Sequence, residues 1–212
     1  MISLDRSPLE VAPDLLGAVL CHAGVAVRLT EVEAYGGADD PASHAHRGST
    51  PRSSVMFGPP AHLYVYLSYG IHLAANIVCD ADGTAGAVLL RSGEVVAGHE
   101  LARERRQATR RPGAAPVPEH QLARGPGCLG QALALGITDS GAVLQQCGGG
   151  TTALAGDGFV LLDGEPVART SSGPRVGVSR AADRPWRFWA TGHPSVSSYA
   201  RSRRAPADGA KL

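Results

Sequence analysis

The sequence predicts an α+β domain. Three observations lead there. Two long stretches alternate apolar and polar residues with period two, helical patterns come in separate blocks further along, and no regular strand–helix–strand repeat specifies a Rossmann-type sheet. With 212 residues the chain suits one domain, or one domain with a small appendage. An apolar content of 43% supports a real core, while 27 Gly and 15 Pro favour turns over long helices.

The run DLLGAVLC, residues 14–21, reads as a short helix continuing into a first strand. Residues 24–35, GVAVRLTEVEAY, alternate as a half-buried strand, which sets Val25, Val27 and Leu29 on one face with Glu31 and Glu33. Residues 36–55 are poor in apolar side chains and rich in Gly, Pro, Ser, Thr and His, the composition of a long functional or mobile loop. Two β-rich runs in residues 62–78 meet at Ser68-Tyr69-Gly70, a hairpin tip. A turn at 80–83 precedes the strand AGAVLLR, which ends at Arg91. Helices are expected at about 96–106 and 126–135, with short strands and turns over 140–179 and a last packed segment WRFW at 186–189.

No segment approaches 18 consecutive apolar residues, and the first nine residues carry no secretory pattern, so the expectation is a cytoplasmic protein with no membrane partner. Cys21, Cys79, Cys128 and Cys147 form no CxxC pair, which argues against a zinc ribbon. Net charge is +1, yet residues 1–90 hold 4 Arg against 9 acids and residues 91–212 hold 15 Arg and 1 Lys against 10 acids. That asymmetry can create a local positive face for phosphates, although solvated surface is the plainer account of a charge run.

Two features suggest chemistry. Glu31 and Glu33 end an otherwise apolar strand, and a carboxylate on such a face is costly unless it is paired; an ordinary strand-end acid facing water is the competing account. Three of the five tyrosines lie at 64, 66 and 69. Alternation sets Tyr64 and Tyr66 opposite Leu63, Val65 and Leu67, lining either a cleft or a core. Tyr69, beside Gly70 at the tip, has the position of an aromatic wedge that unstacks bases.

Taken in order, EVEAY at 31–35, His44, Thr50-Pro51-Arg52, Met56-Phe57, LYVY at 63–66, Tyr69-Gly70, Asn76-Ile77 and VLLR at 88–91 resemble the signature of the alkyladenine (3-methyladenine) DNA glycosylase family, in its bacterial form. ARGPG at 123–127, QAL at 131–133, PRVG at 174–177, PWRF at 185–188 and PSVS at 194–197 continue it, so the resemblance spans about residues 9–198. It implies a single compact domain around a curved mixed or antiparallel sheet with peripheral helices, over residues 1–200, followed by a flexible Arg/Ala-rich tail at 201–212. It also implies a monofunctional hydrolase that cuts the N-glycosidic bond of alkylated or deaminated purines flipped out of double-stranded DNA. The expected protein is a monomer with no metal and no organic cofactor, working in the bacterial cytosol.

Residue by residue, Glu33 is similar to the family's water-activating glutamate, and Arg91 to an arginine at the pocket edge. Tyr35, His44 and Tyr66 match positions that enclose the flipped base, Asn76 matches the asparagine that excludes guanine, and Tyr69 the residue inserted into DNA. Phosphate contacts are expected from Arg52, Gly127 and Arg175. Two departures stand out: the loop between His44 and Met56 is one residue shorter than in vertebrate forms, and Cys128 stands where many relatives carry lysine. The only lysine is Lys211, so Schiff-base lyase chemistry is not expected. Rival readings are a catalytically silent binder of damaged DNA and a metal hydrolase built on His44, His46, His62 and His72. A third is an acyl- or formyl-transfer-related domain, for which no Ser–His–Asp or Cys–His order speaks.

Overall fold

Ser7 and Glu10 set the first helix earlier than the pattern at 14–21 suggested. In the computed structural model, which describes residues 1–68, 70–148 and 158–206, the Glu10 carboxylate accepts the Ser7 amide at 3.2 Å. That is the return half of a capping box, and Pro8 occupies the first turn of α1 (Pro8–Asp14). The helix ends at Asp14, the first residue of DLLGAVLC. Gly17, at φ +91°, turns the chain into β1 (Val19–His22).

The sheet is built around β2 (Val25–Tyr35), eleven residues long. Along one edge it pairs antiparallel with β5 (Ala87–Ala97). Its other edge is shared by β1, opposite residues 25–28, and β9 (Arg187–Ala190), opposite residues 31–33. The hairpin of β3 (Leu63–Ser68) and β4 (His72–Val78) continues the sheet beyond β5. On the far side β1 pairs with β7 (Phe159–Leu162), and β7 runs parallel to β6 (Leu144–Cys147), while β8 (Thr170–Gly173) pairs with β9. The result is an α+β domain on a curved mixed sheet with peripheral helices. The helix expected at 96–106 is α2 (His99–Ala108), because β5 runs on to pair Ala97 with Ala26. That expected at 126–135 is α3 (Pro126–Ala132).

Alternation along β2 does not hold. Leu29 pairs with Gly93 but Glu31 with Ser92, which leaves Thr30 as an extra residue on β2; Glu31 pairs with Ser92 but Val32 with Leu90, which leaves Arg91 as an extra residue on β5. Each extra residue is a β-bulge, and a one-residue slip exchanges the two faces of a strand. Val27 and Leu29 therefore share the main core with Val32 and Ala34, together with Val88 and Leu90. Glu31 and Glu33 lie on the other side. The expectation that they share a face with Val25, Val27 and Leu29 is corrected by these paired bulges.

Val11 and Ala12 of α1 and Leu129 and Ala132 of α3 join the main core. A smaller cluster on the opposite face gathers Ala45, Met56, Tyr64, Val78, Ala85 and Ala87 under the loop that follows β2. The β3 alternation holds here: Leu63 and Val65 enter the main core, and Tyr64 and Tyr66 the smaller one. Among the described residues, no helix is long and apolar enough to cross a membrane.

Candidate active site

Between the bulged strands and the loop over residues 41–56 lies a cleft of about 940 Å³. Glu33 and Tyr35 of β2, His44 and Arg52 of the loop, Tyr66 of β3, Asn76 of β4 and Arg91 of β5, five separate elements, all line it. Glu33 and Arg91, 58 positions apart in the chain, come together because β2 and β5 pair.

Glu33 is fully buried. One carboxylate oxygen accepts the Val176 amide at 2.7 Å and the other accepts the Tyr35 hydroxyl at 2.8 Å. The Arg91 guanidinium stands 3.6 Å away. Burial pushes the Glu33 carboxyl above the ordinary value, opposed by Arg91 and the Val176 amide. Burial also holds the Tyr35 hydroxyl far above its usual value, with the Glu33 charge adding to the effect. Tyr35 is therefore a fixed donor toward Glu33. A buried carboxylate kept in place by two donors and facing an open cleft has the geometry of a general base.

The aromatic wall is built from the smaller cluster. Tyr64 and Tyr66 stack at 5.5 Å, and His44 meets Tyr66 edge-on at 4.7 Å. His44 is exposed at the cleft mouth, with Nδ1 2.8 Å from the Tyr64 hydroxyl. Desolvation lowers its pKa, with Arg52 adding to the effect, so the ring is neutral at pH 7. Burial raises the Tyr66 hydroxyl to about 12. Asn76 is buried and donates its side-chain amide to the Tyr64 carbonyl at 3.0 Å, which fixes its orientation at the cleft floor.

The three residues expected to hold phosphates part company. Arg52 is exposed on the rim and reaches over the Tyr66 ring. Gly127 lies in the first turn of α3, half-buried, where an added Cβ would come within 2.7 Å of the His72 ring. Arg175 is a correction. Only 1% exposed, it forms a two-pronged pair with Asp40 at 2.6 and 2.8 Å, donates to the Ala34 carbonyl, and lies over the rings of Tyr35 and Trp186. Its guanidinium is spent inside the protein, bracing Tyr35 from behind, and is not offered to a backbone phosphate. The exposed cations that do line the cleft besides Arg52 are Arg47 and Arg180, which the sequence reading left without a role. Among the described residues, Glu33 is the only acid in the lining. Tyr69, the expected wedge, lies outside the described residues.

The four histidines of the metal reading have separate partners. His44 meets Tyr64, His46 the Ala38 carbonyl, His62 the carbonyls of Pro59 and Pro60, and His72 packs on Gly127. Among the described residues no three His, Cys, Asp or Glu side chains gather as a metal site would require.

Comparison with known proteins fits this site. The sequence pattern of the family described as Methylpurine-DNA glycosylase matches residues 2–194. Three bacterial relatives carry the name "Putative 3-methyladenine DNA glycosylase". That of Cutibacterium acnes is 51% identical over 93% of this chain and 98% of its own length. That of Frankia casuarinae is 53% identical over 94% and 92%, and that of Mycobacterium bovis 48% identical over 98% and 97%. A family match of this extent, on a chain whose cleft holds the signature residues, leads to one conclusion: the chain belongs to the methylpurine-DNA glycosylase family.

Proposed function

We propose that the protein hydrolyses the N-glycosidic bond of alkylated or deaminated purines flipped out of double-stranded DNA, with Glu33 as the base. The observation that carries this reading is the Glu33 carboxylate, buried yet opening on the cleft, held by the Val176 amide and the Tyr35 hydroxyl. Bond breakage builds positive charge on the sugar, which a nearby carboxylate stabilises. The C1′–N bond breaks and its electron pair leaves with the base. Water oxygen bonds C1′ while its proton passes to Glu33. A cationic lesion departs as a neutral base, whereas hypoxanthine takes a proton from solvent as it leaves, and Glu33 afterwards returns its proton to solvent. The product is an intact abasic site.

Tyr35, His44 and Tyr66 enclose the base, and Asn76 screens out guanine through its exocyclic amine. Arg47, Arg52 and Arg180 hold the phosphates around the mouth; charge complementarity supports this, since among the described residues no exposed acid shares the lining. Tyr69 fills the gap left by the flipped nucleotide. The protein acts as a monomer in the cytosol, where chromosomal DNA is its substrate.

Duplex oligonucleotides, each with a single hypoxanthine, 3-methyladenine, 7-methylguanine or ethenoadenine, test the reading when followed by hot alkali. The expected result is release of free base and a strand break that appears only after alkali. Specific binding to these duplexes with no base released from any of them would make the protein a silent damage binder instead.

A further inference from the structure

One carboxylate in the site never reaches the cleft. Glu31 is fully buried, two residues before Glu33, and does not line the pocket. It nevertheless accepts four hydrogen bonds and forms an ion pair with Arg91. One oxygen faces Arg91 Nε at 2.9 Å, Arg187 Nε at 2.6 Å and the Ser197 hydroxyl at 2.9 Å; the other accepts the Ser92 hydroxyl and the Ser197 amide, both at 2.8 Å. Such investment in a group with no access to substrate calls for a reason.

The partners supply it. Arg91 is the bulged residue of β5, so it and Ser92, neighbours in sequence, both reach the same carboxylate. Arg91 Nε also donates to the Ser197 hydroxyl at 3.1 Å. With Nε held on two sides, the far end of the guanidinium can only face the cleft, where it stands 3.6 Å from Glu33. Ser197 uses every polar group it has, because its carbonyl accepts Arg187 Nη2 at 3.0 Å. The segment carrying it is clamped as well: Ser195 meets Thr30, the bulged residue of β2, at 2.9 Å, and the Val196 carbonyl accepts Arg124 at 2.9 Å.

We propose that Glu31 and Ser197 form a positioning lock that aims Arg91 into the cleft and sets the charge environment of Glu33. Ser197 is the clasp, brought in by the segment after β9. This rests on the glycosylase reading of the cleft. The groups facing Glu33 are Arg91 from β5, Glu31 and Tyr35 from β2, Tyr66 from β3, and the Val176 amide. Of these charges, Arg91 favours ionised Glu33 and Glu31 opposes it. Removing the Glu31 charge in a glutamine variant therefore makes Glu33 more acidic: the repulsion is lost, while the glutamine side-chain oxygen can still face Arg91 Nε and leave the guanidinium aimed at Glu33.

The experiment uses the full chain. Glu31→Gln is expected to move the acid limb of the single-turnover pH–rate profile to lower pH, and to move the Glu33 carboxyl titration, followed by carbon NMR, the same way. Ser197→Ala is expected to slow single-turnover excision by about 10-fold to 10²-fold, with affinity for an abasic-site duplex unchanged, while Ser197→Thr, which keeps the hydroxyl, restores the rate. A merely structural role would move none of these limbs and would not distinguish Thr from Ala. An unmoved Glu33 midpoint in Glu31→Gln, or Thr as impaired as Ala, overturns the proposal. Should Glu31→Gln not fold, the Ser197 pair decides alone. If the wild type excises no lesion, the glycosylase reading fails, and the NMR midpoint still tests the coupling of Glu31 to Glu33.

Discussion

The two faces of the β2–β5 pair are made from the same two strands and have opposite characters. One carries Val27, Leu29, Val32, Ala34, Val88 and Leu90 into the main core. The other carries Glu31, Glu33, Arg91 and Ser92, all buried, with Arg187 brought in by β9. The apolar face is stabilised by burial without regard to direction. The polar face holds together only because each charge has found a partner, and an unpaired one would be costly. Stability and chemistry are thus divided between the two sides of one ladder, and the division is made by two bulges. A protein can hold a carboxylate with a raised pKa on a strand whose reverse side is ordinary core.

That division can be broken from either side. The largest effect is expected at a buried pair braced against the polar face. Arg175→Met strands the Asp40 carboxylate and should cost about 3–5 kcal/mol. At about 2–4 °C per kcal/mol for a chain of this size, the melting temperature should fall by roughly 6–20 °C. A change of only a degree or two in a thermal melt would mean that the pair contributes little. On the apolar face, Leu90→Ala removes a fully buried side chain and should cost about 2–5 kcal/mol. Excision at 20 °C, well below the melt, should stay close to wild type; a large loss there would mean that the faces are not separable.

Glu33→Gln should do the reverse. Single-turnover excision should fall by about 10²-fold or more while DNA binding persists. Because burial raises the Glu33 pKa, the folded state binds that proton more tightly than the unfolded chain does. Its contribution to stability is therefore full below the ordinary carboxylate value and is lost as pH rises through the raised one. Glutamine carries no such cost, so the variant should melt above wild type at neutral pH, with the gap closing in acid. Melting curves across pH check the sign, and a variant less stable at neutral pH would contradict it. In wild type, excision should likewise fall as pH drops through the Glu33 value. The smallest effect is expected at the rim, where Arg180→Ala should weaken duplex binding for all sequences alike and reduce the salt slope by about 1. An unchanged slope would remove Arg180 from the phosphate contacts.

Sequence pattern by itself determined the α+β class, the β3–β4 hairpin and the sidedness of Tyr64 and Tyr66, and it assigned Glu33, Tyr35, His44, Arg52, Tyr66, Asn76 and Arg91 to one site while passing over Arg47 and Arg180. Those rest on local alternation and turn chemistry, or on a long ordered series of motifs, and neither needs a partner strand. The helix at Pro8–Asp14 was also within reach, since Ser7-Pro8 and Glu10 form a readable start signal that the apolar pattern alone passes over. Only the tertiary structure decided the rest. Alternation assumes an unbroken ladder, and the bulges at Thr30 and Arg91 exist only in the register between β2 and β5. Arg175 reads as one more cation in an arginine-rich stretch until Asp40, 135 positions away, takes its charge. Glu31 reads as a twin of Glu33 until Arg91, Arg187, Ser92 and Ser197 close around it. Charges are placed by whichever partners the fold brings within reach, and those partners are distant in sequence.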